Sequence, residues 1–485
     1  MNYHALIQNW PLALPELLVL GLAILILIID AVALRADKRA LGYLSVLGLA
    51  GIIALLCLRW PDPNASLPTL SEAYKVNALS QLFKLIFLIA ALLVSLASVH
   101  FAVKETRHPG EYMALLLFST LGLMVMVSAC DLITLYLGIE LGTLSLYALA
   151  AFRKDHRRSS EAGLKYLLLA AISSAVMIYG ISLLYGSAGS TQFEDLAGVE
   201  LRNEAVALLG MILLVTGFAF KCAAAPFHMW APDVYEGAPT PITGFISVAS
   251  KAAGFAVLLR VLVGVGPLAG LDMQWQPLIK ALAALSIIVG NLLALQQSNI
   301  KRMLAYSGIA QAGYLLIAVA AGSSKGVGAV AAYLFLYMFT NLGAFFIVHV
   351  VASQAGDEEI RSYTGLAQRA PLLALGMLIL LLSLGGIPPL AGFVGKFYLF
   401  WAGIEKSMWW LVLLGALFSV ISLYYYLMVI RRMYILEEVA DPRPLEIAPP
   451  LGLAIVVTVA MTLLIGIWPS VIFPTALKVA HLLFP

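Results

Sequence analysis

The stretch FKCAAAPFHMWAPDVYEGAPTPITGFISVASKAAGFA, residues 220–256, has two apolar arms around a short polar turn, with a lysine deep in each arm. Lys221 and Lys251 each stand fifteen residues from Glu236, near the middle of that turn. At ~1.5 Å per residue this is ~22 Å of helix, too far for a long side chain to reach back to the interface. An ionisable group at the centre of a bilayer costs roughly 2.5–3.5 kcal/mol on insertion scales, so it normally faces a partner or a hydrated path and marks a route of ion transfer. Both arms therefore read as membrane-spanning helices whose lysines serve a purpose other than packing.

The rest of the chain agrees. It has 485 residues, 62% hydrophobic and 11% charged, with a mean hydropathy of +0.96; soluble domains carry about a quarter of charged residues. Apolar runs long enough to cross ~30 Å as helices recur almost without interruption. We place spans near 12–34, 41–60, 78–103, 111–130, 131–152, 161–187, 204–230, 238–264, 277–296, 303–322, 326–353, 370–403, 409–430 and 449–472. The fold class is an all-α polytopic membrane protein of about fourteen transmembrane helices, with residues 1–485 forming one integral membrane domain. The longest polar connectors, near 60–77, 187–204, 354–369 and 434–448, are too short for an extramembrane domain. The first run, from Pro11 to Ala33, is longer than a signal-peptide core and is expected to remain as a span.

A net charge of +3, with basic residues scattered among loops, gives no basis for nucleic-acid binding. Cys57, Cys130 and Cys222 fall in three separate runs without metal or disulfide spacing. No HExxH motif is present, so any redox cofactor is expected on a partner rather than on this chain.

Sixteen lysines and arginines fall in the odd-numbered loops: Arg35, Lys38, Arg39, Lys104, Arg107, Arg153, Lys154, Arg157, Arg158, Lys301, Arg302, Arg361, Arg369, Arg431, Arg432 and Arg443. Eight fall on the other side: Arg59, Lys75, Arg202, Arg260, Lys280, Lys325, Lys406 and Lys478. The positive-inside rule then puts the odd loops in the cytoplasm and both termini outside. Five lysines remain within spans. Lys84 and Lys165 are within about two turns of a helix start and are expected to snorkel to the interface, so replacing Lys84 should leave ion transfer intact. Lys221, Lys251 and Lys396 are expected to stay at depth. Glu140 is sixteen residues from the middle of the basic loop RKDHRR, which brings it level with Lys221 and Lys251.

Apolar surroundings favour a neutral lysine and a nearby carboxylate favours a charged one. Glu140 approaching and leaving Lys221 would thus load and release a proton, which could pass to Lys251. Two spans also contain helix breakers, Pro226 after Lys221 and the GGIPP segment ahead of Lys396. Broken backbone at membrane depth survives only where protein or a water-filled cavity satisfies it, and discontinuous helices near the midplane characterise ion-coupled transporters. His228 and His349 could extend such a relay, because imidazole titrates near neutrality. Asp233 and Glu236 read mainly as parts of a structured turn, with a possible part in admitting protons. Helices 4–8 (111–264) and 9–13 (277–430) form two five-helix blocks, each with its fourth helix broken (helices 7 and 12) and bearing a lysine. An odd number of helices per block would invert one repeat relative to the other.

Four segments carry a resemblance: LYLGIELGTLSLYAL (135–149), residues 220–256, NIKRMLAYSGIAQAGYL (299–315) and GGIPPLAGFVGKF (385–397). Through them the chain resembles the antiporter-like membrane subunits of proton-pumping respiratory complex I, the NADH:quinone oxidoreductases of bacterial inner membranes. Length and span number fit the subunit N branch. The lack of a long C-terminal lateral helix argues against subunit L, and Lys396 stands where subunit M typically has glutamate. The resemblance implies that Glu140 and Lys221 are the coupling pair, Lys251 the connecting lysine and Lys396 the end of the proton path. Gln311 departs from the pattern, since many relatives have histidine there. Also implied are partners: other membrane-arm subunits and a peripheral NADH-oxidising arm holding FMN, iron–sulfur clusters and the quinone site. A subunit of a multi-subunit sodium/proton antiporter shares the GIPP and GFxGK patterns and is the competing expectation; PDVYEGAPTP weighs against it.

Overall fold

The computed structural model describes residues 9–32, 37–60, 69–71, 73–198, 203–264, 272–436 and 445–481. Among them thirteen helices are long and apolar enough to span a membrane: α1 (Trp10–Val32), α2 (Arg39–Leu58), α3 (Ala78–Glu105), α4 (Pro109–Ser128), α5 (Leu132–Ala150), α6 (Arg157–Ala188), α7 (Glu204–Lys221), α8 (Thr240–Leu262), α9 (Trp275–Ala294), α10 (Ile300–Ala320), α11 (Ser324–Ala355), α13 (Trp409–Tyr434) and α14 (Pro449–Ile467). The twelfth expected span is present as two shorter helices, α12a (Pro371–Gly385) and α12b (Ala391–Glu405), which brings the crossings to the expected fourteen. Arg35, Arg202 and Arg443, counted above for orientation, lie outside the described residues.

The helices differ sharply in what surrounds them. α8 is wholly buried and α10 and α11 nearly so, whereas α1, α2, α6 and α13 leave most of their surface open. Exposed side chains such as Leu137, Leu168, Ile172, Leu417 and Val420 form the belt that lipid or neighbouring subunits cover. The centre instead collects the polar side chains, because a polar group in a bilayer is satisfied only by other protein or enclosed water.

Tight pairs in both halves of the chain rest on glycine. A Cβ on Gly122 of α4 would stand 2.2 Å from Gly142 N of α5, and one on Gly290 of α9 would stand 2.5 Å from Ala310 N of α10. Small residues let helix backbones approach closely where no hydrophobic driving force is available, as within lipid.

Two helices depart from the expected outline. The span drawn over 204–230 ends at Lys221, followed by turns and a short helix, Trp230–Gly237. The freed backbone there is satisfied by protein: Ala225 N donates to Ser286 Oγ at 2.8 Å, and Trp230 Nε1 donates to Phe220 O at 3.0 Å. α8 is interrupted by two π-helical turns, Ile246–Ser250 and Arg260–Gly264, which bracket the α-helical segment Lys251–Leu259. Such bulges are frequent at functional sites, and no proline or glycine pattern announces them.

Candidate functional site

Lys221 is the last residue of α7 and is buried. The carbonyl end of a helix carries the negative pole of its dipole, which favours a cation in the last turn. Its ammonium donates to Thr143 Oγ1 of α5, and Thr143 in turn donates to Ile139 O. Glu140 lies three residues before Thr143, ~4.5 Å of helix rise, so the expected common depth holds. The expected ion pair does not: among the described residues no ion pair joins Lys221 to Glu140, so the two stand apart in this arrangement. Glu140 instead accepts a hydrogen bond from Ser174 Oγ of α6 and is half-buried. Its charge still acts on Lys221. The sequence places the two at one level but cannot reveal that Lys221 bonds to Thr143 and Glu140 to Ser174.

Lys251 is one turn from the α7 break along α8, since a Cβ on Gly254 would meet Cys222 Sγ at 2.9 Å and Lys221 Cβ at 3.3 Å. Its ammonium donates to Gly308 O of α10 at 2.6 Å and lies 5.6 Å from the centre of the Tyr337 ring. Among the described residues no carboxylate pairs with it. A carbonyl oxygen and an aromatic face hold the charge by dipole and quadrupole alone.

Lys396 donates to Leu384 O (2.9 Å), Gly385 O (3.2 Å) and Ser419 Oγ (3.0 Å), and lies 4.9 Å from the centre of the Tyr314 ring. Leu384 and Gly385 end α12a, so this lysine also faces the carbonyl end of a half-helix. The order of lysine and proline differs between the two breaks in sequence, yet both lysines meet the same dipole end. Gly386 turns the chain with φ +88°, and a Cβ there would stand 3.2 Å from Lys396 Cδ.

Gln311 occupies the interval between Lys251 and Lys396. Its Nε2 donates to Leu384 O at 3.1 Å, the same oxygen that Lys396 uses, and its Oε1 accepts from Tyr333 Oη. Tyr333 stacks on Tyr337, whose face holds Lys251. A second hydroxyl chain runs alongside: Ser307 with Tyr426, Tyr425 with Asn291 Oδ1 at 3.1 Å, and Asn291 Nδ2 with Tyr314 Oη at 3.1 Å. Glutamine cannot titrate, but it is tied here to a tyrosine hydroxyl on one side and to the carbonyl that Lys396 also uses on the other. Scattered tyrosines in an apolar sequence give no sign of this convergence.

His228 lies outside the row of lysines, half-buried, with its ring 6.5 Å from that of Tyr306 and Nδ1 unpartnered. His349 packs edge-on against Phe101 and lines a cavity of 700 Å³ on the face of the basic loops, with Arg153, Arg158, Glu236, Asn299, Glu358 and Arg361. Below it Lys301, fully buried, donates to Glu236 O, Ala238 O and Glu358 Oε1, each at 2.8 Å. Lys301 was counted among the loop residues; burial at the start of α10 makes it a clamp between connectors instead.

Asp233 and Glu236 are part of such a clamp as well. Asp233 pairs with Lys165 and Arg302, both at 2.7 Å, and Glu236 with Arg302 at 2.9 Å and Arg158 at 3.3 Å. Partial burial pulls the Asp233 carboxyl upward, but bonds from Lys165 and Arg302 outweigh it and hold the group below the usual carboxylate range. Lys165, about two-fifths exposed, reaches the surface as expected.

Two expectations fail for a shared reason. Lys84 does not snorkel: its side chain is 0% exposed and its Nζ lies 2.7 Å from Glu16 Oε1 of α1. Arg260 is not a loop residue; it is buried in the second π turn, donating to Val127 O and to Cys130 Sγ. In both cases a distant segment offers a buried partner, which position along a helix cannot disclose.

Against known proteins, residues 129–422 match the family model described as "NADH:quinone oxidoreductase/Mrp antiporter, TM". NADH-quinone oxidoreductase subunit N of Moorella thermoacetica is 47% identical over 464 residues, covering 95% of this chain and 96% of the relative. NAD(P)H-quinone oxidoreductase subunit 2 of a Nostoc species is 41% identical, with 96% and 91% covered. A chain of respiratory complex I from Thermus thermophilus superposes with a TM-score of 0.80 at 33% identity, covering 95% of this chain and 98% of that one. A chain of the Mrp complex from Dietzia superposes with a TM-score of 0.83 at 19% identity, covering 100% and 98%, a likeness of fold. The chain belongs to the antiporter-like membrane subunits of NADH-quinone oxidoreductases, in the subunit N family.

Proposed function

We propose that this chain is the proton-translocating subunit N of an NADH:quinone oxidoreductase, in which Glu140, Lys221, Lys251 and Lys396 carry protons through the membrane while electron transfer on partner subunits supplies the energy. The observation that supports this most is the row of three buried lysines, each held by carbonyl, hydroxyl or ring and none locked to a carboxylate. A lysine in a tight ion pair keeps its proton; one held by neutral dipoles can give it up. Lys221 is bonded to Thr143 on the helix that carries Glu140, so a small movement of α5 against α7 changes the pull on the proton. Beyond Lys251, the Gln311–Tyr333 bridge and the Ser307–Tyr426 chain lead toward Lys396. His228, away from this line, is at most an auxiliary group.

Proton uptake is assigned to the cavity beneath the basic loops, beside His349. The positive-inside rule places that face in the cytoplasm and both termini outside. Two inverted repeats, 111–264 and 277–430, are supported by the glycine-packed first pair in each block and by a half-helix break beside a lysine in each. Glu140, half-exposed beside Leu137, Leu141 and Leu144, needs a neighbouring membrane subunit to cover it. FMN, iron–sulfur clusters and quinone are assigned in this reading to partner subunits. Moving one charge against 100 mV costs ~2.3 kcal/mol, which a chain without a chemical reaction must draw from such partners.

The test is Lys221→Ala in the assembled complex, measured in inverted membrane vesicles. Proton pumping should be lost while the complex still assembles; normal pumping would refute the reading. Co-purification of flavin and NADH dehydrogenase activity separates this reading from a sodium/proton antiporter.

A further inference from the structure

We propose that Glu16, Lys84, Tyr74 and Arg260 form a second proton-transfer site, in the half of the membrane opposite the basic loops, through which protons leave Lys251 for the surface. This rests on the proton-translocating reading above.

The site is built from five distant segments. Glu16 is in the first turns of α1, Tyr74 in the strand before α3, Lys84 two turns into α3, Ser128 at the end of α4, and Arg260 at the end of α8. Lys84 Nζ lies 2.7 Å from Glu16 Oε1 and donates to Tyr74 Oη at 3.1 Å. The Tyr74 hydroxyl also lies near Glu16 and Ser128, although neither makes a hydrogen bond with it in this arrangement. Arg260 is fixed by Val127 O and Cys130 Sγ, and its charge acts on both Tyr74 and Lys84.

A buried ion pair is a poor way to gain stability, since well-packed apolar residues of similar volume are often as good or better. This one is also incompletely satisfied. Glu16 Oε2, Gln81 Oε1 and Ser128 Oγ are buried without hydrogen-bond partners. Ser128 follows Val127, whose carbonyl accepts from Arg260, and Gln81 lies one turn before Lys84. Gln81 lines a cavity of 130 Å³ together with Pro11, Pro15, Leu55 and Arg59. The site thus joins a titratable pair, Glu16 and Lys84, to a small cavity one turn away at Gln81.

The transfer balances. A proton arriving from Lys251, nine residues earlier on α8, reaches the Tyr74 oxygen as the Tyr74 proton passes to the Glu16 carboxylate. Neutral Glu16 no longer offsets the Lys84 ammonium, which then stands uncompensated beside the Arg260 cation. Lys84 releases its proton past Gln81 into the cavity. The Glu16 proton then returns to the Lys84 amine across 2.7 Å, restoring the starting pair.

The test uses the complete complex in inverted vesicles, with protons moved per NADH oxidised, uncoupled NADH oxidation and assembly all measured. The double variant Glu16→Gln/Lys84→Met removes both charges with little change of volume. A loss in protons per NADH, with assembly and uncoupled oxidation retained, is the expected result; the parental ratio would show a merely structural pair and overturn the proposal. Should the double variant fail to assemble, Tyr74→Phe decides, because it keeps the ring over which Lys84 lies and removes only the hydroxyl. Its ratio should fall, and an unchanged ratio overturns the proposal. Lys221→Ala run in parallel separates the two readings: a loss there with none at Glu16, Lys84 and Tyr74 sinks this site alone, whereas normal pumping in Lys221→Ala removes the reading on which it rests.

Discussion

Gly308→Ala sets two opposing effects against each other at one atom. A Cβ on Gly308 would stand 2.8 Å from Lys251 Nζ and 3.4 Å from Tyr337 Oη, so the lysine tip must withdraw and its 2.6 Å bond to Gly308 O is broken. A hydrogen bond to a charged group contributes about 1.5–3 kcal/mol. Because 1.4 kcal/mol is a factor of ten, the charged form of Lys251 is disfavoured by roughly one to two orders of magnitude. Replacing glycine by alanine inside a helix acts the other way on the fold, stabilising it by about 0.5–1 kcal/mol. The two effects separate cleanly: the α10 helix gains, while proton residence on Lys251 loses. Gly308→Ala should therefore yield fully assembled complex with uncoupled NADH oxidation intact and proton pumping reduced about tenfold or more. The assay is acidification of inverted vesicles by a fluorescent pH dye, normalised to complex content on native gels. Full pumping in Gly308→Ala, alongside lost pumping in Lys251→Ala, would refute the claim that the Gly308 carbonyl steadies the proton-bearing ammonium of Lys251.

Lys396→Ala removes the cation from the end of α12a and should lower pumping as strongly as Lys221→Ala does, with assembly retained; a normal pumping trace would remove Lys396 from the path. Lys84→Ala leaves the Glu16 carboxylate buried without its partner, which costs about 3–5 kcal/mol, so the amount of complex recovered from membranes should drop, whereas wild-type recovery would mean that Glu16 finds another partner. For Asp233, whose carboxyl is held below its ordinary value by Lys165 and Arg302, the sign is that of a depressed acid: its stabilisation is present above the unfolded pKa, about 3.9, and is lost as pH falls through the lower folded value. Asp233→Asn should thus lower the thermal stability of the purified complex by the same amount from pH 5 to 8, and a difference that grows or shrinks within that range would contradict the assignment.

Much of the architecture is legible in the chain because its signals are local. A run of apolar residues specifies a span, a proline or paired glycine marks a break, and counting residues from a hairpin fixes depth. These gave fourteen crossings, the level of Glu140, Lys221 and Lys251, and a broken twelfth span. The site partners are another matter. Thr143 lies 78 residues from Lys221 and Gly308 57 from Lys251, and neither residue type signals that a cation will settle on it. Glu140 therefore reads as the coupling partner of Lys221 from sequence, which gives no sign that Thr143 takes the bond from the lysine.

The buried lysine at position 84 shows the limit most plainly. From sequence it is a basic residue two turns into a helix, and snorkelling is the ordinary solution there. Glu16 in turn is an ordinary acidic residue in the first turns of α1. Only the tertiary fold, which brings Glu16 of α1 to Lys84 of α3, buries both and makes them a pair. The sequence by itself determined that charge is carried at membrane depth and where along each helix it lies, since hydrophobicity and helix rise are properties of consecutive residues. The tertiary structure decided which oxygen, ring or carbonyl end each charge meets, because in a low-dielectric interior that choice depends on contacts between segments far apart in the chain.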